Sequence, residues 1–348
     1  MNDWLRQLLV CPRDQGPLTM ERDHLFCERG HRYPVVQGVP VMLLGDVTQT
    51  LHVADNSLRA AWENPDDPWF IDTLGCSPEQ KDKIRKLIDD SGAHPVDPVV
   101  QFVLAATNGS LYKQMLGTLN EYPIPNIRLG SGHGEPLLDI GCNWGRWSVA
   151  AACKGYNVVG IDPSLGSVLA AKRVARSLGV DASFVVGDAR HLPFRPGSFA
   201  RVFSYSVFQH FSKNDVEAAL TQIARVLQPN GESLIQMANA FGFRSLQHQI
   251  SRRFRNAVGF EVRFWTPGEL RETFWRYIGE SRLSVDGFFG LGIQVSDRQL
   301  MPIKYRAVIA ASELLRKISR SMPIAWAADS LYVHSMSSHQ EQRSGLTS

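Results

Sequence analysis

Between residues 135 and 239 short apolar runs alternate with amphipathic stretches: PLLDIG, SVAAACKGY, NVVGID, GSVLAAKRVARSLG, ASFVVGD, FARVFSYS, NDVEAALTQIARVL and GESLIQMAN. Runs of five or six apolar residues suit strands buried on both faces, and the intervening period-3.6 stretches suit helices that cover them. That grammar dictates βαβ units and a parallel sheet. Asp215 is expected near the N-cap of the helix over 214–227, and Pro229-Asn230-Gly231 as a turn after it.

The flanks read differently. Residues 1–45 are rich in turn formers, with strand-like runs at Leu8 to Val10, Tyr33 to Val36 and Val39 to Leu44. Residues 46–130 carry helical spacing over Ser77 to Asp90 and Pro98 to Leu119, punctuated by Pro95, Pro98, Pro123 and Pro125. After 240 the pattern is again helical, with strand-like SRLSVDGFFG and DSLYVHSM. The predicted organisation is a ribbon over 1–45, a helical linker or lid over 46–130, an α/β domain over 131–335 with a basic helical insert at about 241–280, and a tail over 336–348.

Composition excludes several classes. Hydrophobic residues at 44% and charged residues at 20% describe a chain able to bury a core, and a net charge of +3 is too small to mark the whole chain as a nucleic-acid binder. The charge is uneven, however: residues 239–348 hold 15 Lys plus Arg against 9 Asp plus Glu. The start lacks the basic and apolar regions of a signal peptide, no run approaches the roughly 18 apolar residues of a membrane span, and five cysteines do not form a secreted disulfide framework. These features lead to the expectation of a cytoplasmic protein without transmembrane segments.

The most informative run is LLDIGCNWGRW, residues 137–147. A buried strand ends in Asp139, Gly141 follows, and Gly145 opens the next helix, so a ligand can approach bare backbone. Asp162 ends the following strand and Asp188 the one after it. Acids at successive parallel strand ends converge on one crevice, where such an acid can accept hydrogen bonds from ribose hydroxyls. A dinucleotide fingerprint is absent, because Gly141-Cys142-Asn143 does not supply G-x-G-x-x-G. Asp162 can instead cap a turn before Pro163, and Cys142 can simply pack.

In these residues the chain resembles the class I S-adenosylmethionine-dependent methyltransferases over roughly 110–335. LLDIGCNWGRW is similar to their motif I, VVGIDPS to the ribose-binding strand end, VVGDARHLPF to the adenine-binding segment, and FSYSVFQHF and ARVLQPNGESLIQM to the fourth strand with its loop and the fifth strand. The resemblance implies a Rossmann-like, doubly wound, mostly parallel seven-stranded sheet. It also implies S-adenosylmethionine as cofactor, held by Asp139, Gly141, Cys142, Asn143, Gly145, Asp162, Pro163, Asp188, Ala189 and Ser204. Asn143 stands where the family has its middle glycine; Asn tolerates left-handed backbone, so the turn can survive. Trp144 is bulky for such a loop and can line the pocket.

Methyl transfer needs alignment and desolvation, and a base only where the acceptor is protonated. Tyr205 and His210, in the loop after the fourth strand, are the catalytic candidates; His210 can equally cap a helix or pack on Phe211. The loop lacks the Asn-Pro-Pro-Tyr that amino-methylating members of the resembled family often carry there, so the resemblance points away from adenine-N6 chemistry and towards an oxygen or nitrogen of a small-molecule, lipid or glycan acceptor. Arg244 and Arg252, with Arg253, Arg255 and His248, are candidate substrate-binding residues for phosphate or carboxylate, or for peripheral contact with an anionic membrane, or else a solvated helix face. An rRNA or tRNA acceptor and a non-catalytic scaffold are the alternatives.

Residues 8–44 resemble the small zinc ribbon that accompanies methyltransferases as an activator, chiefly through YPVVQGVPV. The resemblance implies two knuckles, Cys11 with Asp14 and Cys27 with His31, able to hold zinc. Asp14 occupies a thiolate position. The other reading is a degenerate ribbon that keeps its fold through apolar strands.

Overall fold

The computed structural model describes residues 1–48, 52–63, 71–90, 95–107, 112, 116–290, 294–319 and 323–337. The predicted tail lies outside them from 338 onward.

The chain opens with α1 (Asp3–Leu8), whose first turn is closed by Asn2 accepting from the Leu5 N–H at 2.8 Å. The expected strand at Leu8 to Val10 is therefore a helix end, and Leu9 makes only an isolated antiparallel bridge to Phe194. A capped amphipathic turn that buries Leu5 outcompetes the short apolar run. A four-stranded antiparallel sheet follows, in sequential order: β1 (Leu18–Glu21), β2 (His24–Cys27), β3 (Arg32–Val36) and β4 (Val39–Pro40). Among the described residues, three α-helices succeed it: α2 (Val53–Glu63), α3 (Pro78–Asp89) and α4 (Pro98–Thr107). A Ser77/Gln80 capping box with Pro78 in the first turn starts α3. The helix expected as far as Leu119 ends at Thr107; residues 108–111 and 113–115 lie outside the described residues, and Gly117, at φ 81°, sits in a turn.

The alternating region gives β5 (Pro136–Ile140), α5 (Arg146–Ala152), β6 (Asn157–Asp162), α6 (Leu165–Ser177), β7 (Ala182–Val186), β8 (Phe199–Ser204), α7 (Lys213–Val226) and β9 (Leu227–Ala238). The remainder supplies α8 (Phe243–Ser251), α9 (Pro267–Tyr277), β10 (Ser281–Gly287), α10 (Ile303–Ile318) and β11 (Ser330–Met336). A seven-stranded mixed sheet runs β10-β11-β9-β8-β5-β6-β7, with β6/β7 and β8/β9 parallel and β11 antiparallel to both its neighbours. Strand order reverses at β5, the switch point of a doubly wound sheet, so the loop leaving its carboxyl end is where ligands bind such folds.

Asp215 lies in the first turn of α7, near the N-cap as expected, and Ser212 is the cap itself, accepting the Asp215 N–H at 3.1 Å. One expectation is corrected here. The Pro229-Asn230-Gly231 turn is absorbed into β9. The register jumps from Phe199↔Leu227 to Arg201↔Glu232, and Asn230 takes φ 61°, so the excursion is a bulge within the strand.

The chain divides into two compact units, Met1–Gly134 with Asp139–Arg195, and Glu135–Leu138 with Pro196–Ser348. Within the first, the ribbon does not stand alone. Val36, Val39, Val41 and Leu43 share one buried cluster with Leu165, Val168, Leu169, Phe184 and Val186, and the Met42 N–H donates to the Val186 carbonyl at 2.7 Å. Ribbon, α6 and β7 are thus one core. Within the second unit, β8, β9, β11 and β10 are backed by α7 and α9, whose Val216, Leu220, Ile223, Leu270 and Phe274 are fully buried.

Candidate functional site

At the end of β5, Asp139 is 1% exposed and accepts the Ser148 hydroxyl at 2.6 Å. Burial pushes its carboxyl up to about 7, opposed by the Ser148 bond and assisted by the neighbouring charge of Asp162. It braces the turn from inside. Gly141, at φ 74°, and Cys142 both donate to the Ile161 carbonyl, at 2.8 and 3.1 Å, which ties the turn to β6. The Cys142 side chain is buried in the shared core.

Asn143 takes φ 51°, the left-handed backbone its position requires, and its Oδ1 accepts the Trp144 N–H at 2.8 Å. Its own N–H donates to Oδ2 of Asp162 at 3.0 Å. Gly145 is obligatory twice over: φ is 83°, and a Cβ there would lie 2.9 Å from Cβ of Ala171. Trp144 is buried beside Tyr122, with ring centroids 6.1 Å apart. Its indole Nε1 has no hydrogen-bond partner among the described residues.

Asp162 also receives the Ser164 N–H on Oδ1 at 2.9 Å, so it caps the turn around half-buried Pro163 and still presents a half-buried carboxylate at the strand end. Burial lifts it to about 6 against the pull of those two N–H donors. Asp188 is differently committed. Arg190 donates to it from Nε at 3.1 Å and from a terminal nitrogen at 2.7 Å, and the Arg190 N–H adds a third bond at 2.8 Å. Beside it Ala189 is buried.

The first unit therefore brings together Asp139, Gly141, Cys142, Asn143, Gly145, Asp162, Pro163, Asp188 and Ala189. Sequence reasoning missed Arg190, and also Ser57 and Thr73, whose hydroxyls accept the Leu165 and Gly166 N–H groups at 2.9 and 2.7 Å where α6 begins. They lie about a hundred residues away in sequence, with no motif to mark them.

In the second unit Ser204 is fully buried at the end of β8. The Tyr205 hydroxyl donates to Asp286 at 2.8 Å and accepts from Gln294 at 2.6 Å. Asp286 also accepts from Ser330, which accepts from Gln236, which in turn accepts the Ser206 N–H; each of these bonds spans 2.7–2.8 Å. Gln209 donates to the Ser206 hydroxyl at 2.8 Å and lies 3.3 Å from Nε2 of His210. The carbonyl of Phe260, 2.8 Å from Nδ1, fixes the His210 tautomer with its proton on Nδ1 and leaves Nε2 as acceptor. The ring stacks on Phe260 at 3.8 Å, not on Phe211, and burial pushes its pKa down to about 4. Arg244 is exposed and bonds Gln247. Arg252 is a local clamp: it donates to the Val262 carbonyl at 3.1 Å and lies over the Phe264 ring.

The ribbon assembles a second cluster. Ligand atoms of Cys11, Asp14, Cys27 and His31 all lie within 4.8 Å of one another. Nδ1 of His31 is 3.4 Å from Sγ of Cys11, 3.2 Å from Sγ of Cys27 and 3.2 Å from Oδ2 of Asp14. Tetrahedral zinc with bonds of about 2.0–2.3 Å separates its ligand atoms by about 3.3–3.8 Å, so these spacings suit it. The Cys11 sulfur also meets the Tyr33 hydroxyl at 3.1 Å.

Residues 137–231 match the family described as a methyltransferase domain. The methyltransferase GfsG of Streptomyces halstedii is 33% identical over 31% of this chain and 39% of its own. A ubiquinone biosynthesis O-methyltransferase of Azorhizobium caulinodans is 31% identical over 30% and 41%. A demethylmenaquinone methyltransferase of Beutenbergia cavernae is 36% identical over 31% and 42%. The matched region spans about two-fifths of each of these relatives. Among the described residues no helix is long and apolar enough to cross a membrane.

Proposed function

We propose that this chain, whose residues 137–231 match a methyltransferase domain, is a class I S-adenosylmethionine-dependent methyltransferase that transfers the cofactor's methyl group to an oxygen or nitrogen of a small-molecule or lipid acceptor. The observation that carries the reading is Asp162, held by the Asn143 and Ser164 N–H groups beside a turn of left-handed residues at the switch-point strand. Each carboxylate oxygen spends one lone pair on the backbone and keeps another for a ribose hydroxyl. The orphaned Trp144 indole N–H beside the turn also fits a site that takes a polar ligand.

When bound, the cofactor supplies an electrophilic methyl group on a sulfonium. Asp162 would hold its ribose, and the main chain from Gly141 to Gly145 its methionine portion. The Asp188 carboxylate is engaged by Arg190, so an adenine edge falls to the main chain at Asp188 and Ala189. Asp139 and Cys142 act from within by shaping the turn. In the second unit Tyr205 is fixed by Asp286 and Gln294. His210 stays neutral at pH 7 and can accept a proton only at Nε2, as a weak base. Alignment and exclusion of water, rather than strong base catalysis, suit these groups. One relative is named as a ubiquinone biosynthesis O-methyltransferase and another as a demethylmenaquinone methyltransferase; both names support an apolar acceptor, and the first supports oxygen as the attacked atom. Incubation with methyl-labelled cofactor and fractionated lysate tests the reading: label in a lipid or small-molecule fraction is expected, and label in RNA alone would replace the acceptor class.

The ribbon's four ligand atoms support a structural zinc site, in which two thiolates, an imidazole and a carboxylate would cross-link the β2–β3 hairpin to the loop after α1. Elemental analysis of purified protein tests it.

A further inference from the structure

We propose that α8 and the loop that follows it form a docking surface for an anionic phospholipid bilayer. At about 100° per residue, Phe243, Leu246 and Ile250 fall within an arc of about 60° on α8. All three are exposed, whereas Ser245, on another side, is buried. An amphipathic helix in a soluble core turns its apolar stripe inward; this one turns it to solvent. The loop extends the feature with Phe254 at 66% and Val258 at 69% exposure, and Phe241 before the helix is exposed as well.

The end of α8 is built for display. The Phe254 N–H returns to the Gln249 carbonyl at 2.9 Å, which closes the helix through left-handed residues, a place that glycine usually fills. Here Arg253 and Phe254 occupy it at φ 53° and 55°. A strained backbone thus carries a cation and an aromatic ring outward side by side.

Charge identifies the occupant. Residues 241–263 contain five arginines, 244, 252, 253, 255 and 263, against one acid, Glu261. Glu261 is engaged by Arg255 at 2.6 Å, and Arg252 and Arg263 bond backbone carbonyls, which leaves two exposed arginines, Arg244 about 100° round α8 from Phe243 and Arg253 next to Phe254. Apolar side chains flanked by arginines match a layer of acyl chains beneath anionic headgroups. The surface lies wholly in the second unit, and the inference does not rest on methyl transfer.

The test is co-sedimentation of the full chain with vesicles of phosphatidylcholine alone and of phosphatidylcholine with about one-third phosphatidylglycerol. Binding to the anionic vesicles is expected, at least about tenfold stronger than to the neutral ones and weakened by salt. The triple variant Phe243→Ser, Ile250→Ser, Phe254→Ser should lose at least about tenfold in partitioning, as should Arg244→Glu with Arg253→Glu. All these side chains are exposed, and circular dichroism verifies the folds. Equal partitioning of wild type and both variants overturns the proposal. So does a concentration-dependent dimer, seen without vesicles and abolished by the triple variant, because a second copy would then be the occupant.

Discussion

The Asn143 N–H donates to Oδ2 of Asp162 across 3.0 Å, joining the turn after one strand to the acid that ends the next. The bond exists because Asn143 adopts φ 51°, and its side chain secures that backbone by accepting the Trp144 N–H. Asn143→Ala should therefore lose about 1–2 kcal/mol through left-handed strain and about 1 kcal/mol through the missing bond. Asn143→Gly escapes the strain and should stay within about 1 kcal/mol of wild type. Urea denaturation separates them; equal losses would show that the turn does not depend on this conformation.

Asp162→Ala should weaken S-adenosylmethionine binding by about 1–3 kcal/mol, because ribose hydroxyls would lose their acceptor. Asp162→Asn keeps one carbonyl oxygen and should fall between the two. Titration calorimetry on folded protein gives the answer, and unchanged affinity in the alanine variant removes the ribose role.

Asp139 and Asp162 titrate near 7 and 6 in the folded chain against about 3.9 unfolded. Between about pH 4 and 7 the native state binds more protons, so their contribution to stability is greatest below that window and is lost as pH rises through it. Asp139→Asn keeps an acceptor for Ser148 and discards the buried charge. Its stability relative to wild type should be more favourable at about pH 8 than at about pH 5. The opposite trend in denaturation midpoints would contradict a buried, proton-binding Asp139.

His210 runs the other way. Folded near 4 and about 6.5 unfolded, it binds protons preferentially in the unfolded chain between those values, so its contribution to stability is intact above about pH 6.5 and falls as pH drops. His210→Asn should narrow the acid-side loss of stability. Methyl-transfer rates should show no ionisation near 6.5 attributable to this residue; such an ionisation, abolished in His210→Asn, would make it the general base.

Chelation should lower the thermal midpoint if zinc cross-links the β2–β3 hairpin to the loop after α1. Cys11→Ser and Cys27→Ser should each lose the metal, whereas Asp14→Cys, which supplies a third thiolate, should retain it against stronger chelators. Purified protein free of zinc, with a midpoint indifferent to chelator, would leave a ribbon held by its apolar side chains.

Much of this was legible in one dimension. Alternating apolar runs fix the strands β5 to β9 because burial on both faces leaves a local signature. The two small strands β1 and β2 carry no such run, and Leu8 to Val10 misled because an N-cap decides a short apolar stretch more strongly than hydrophobicity. In the Pro229-Asn230-Gly231 segment turn residues mark a bulge inside a strand, a distinction that depends on the register of β8 beside it.

The sequence by itself determined the kind of sheet, the glycine turn, the acids at its strand ends and the spacing of four candidate metal ligands, since each is written in neighbouring residues. Only the tertiary structure decided which acids remain available. It buries Asp139 against Ser148, engages Asp188 with Arg190 and leaves Asp162 partly open, because desolvation and partner choice are set by side chains brought in from elsewhere in the fold. It likewise drew Cys11, Asp14, Cys27 and His31 within reach of a single ion, and turned the apolar stripe of α8 outward, which periodicity alone would have assigned to the core.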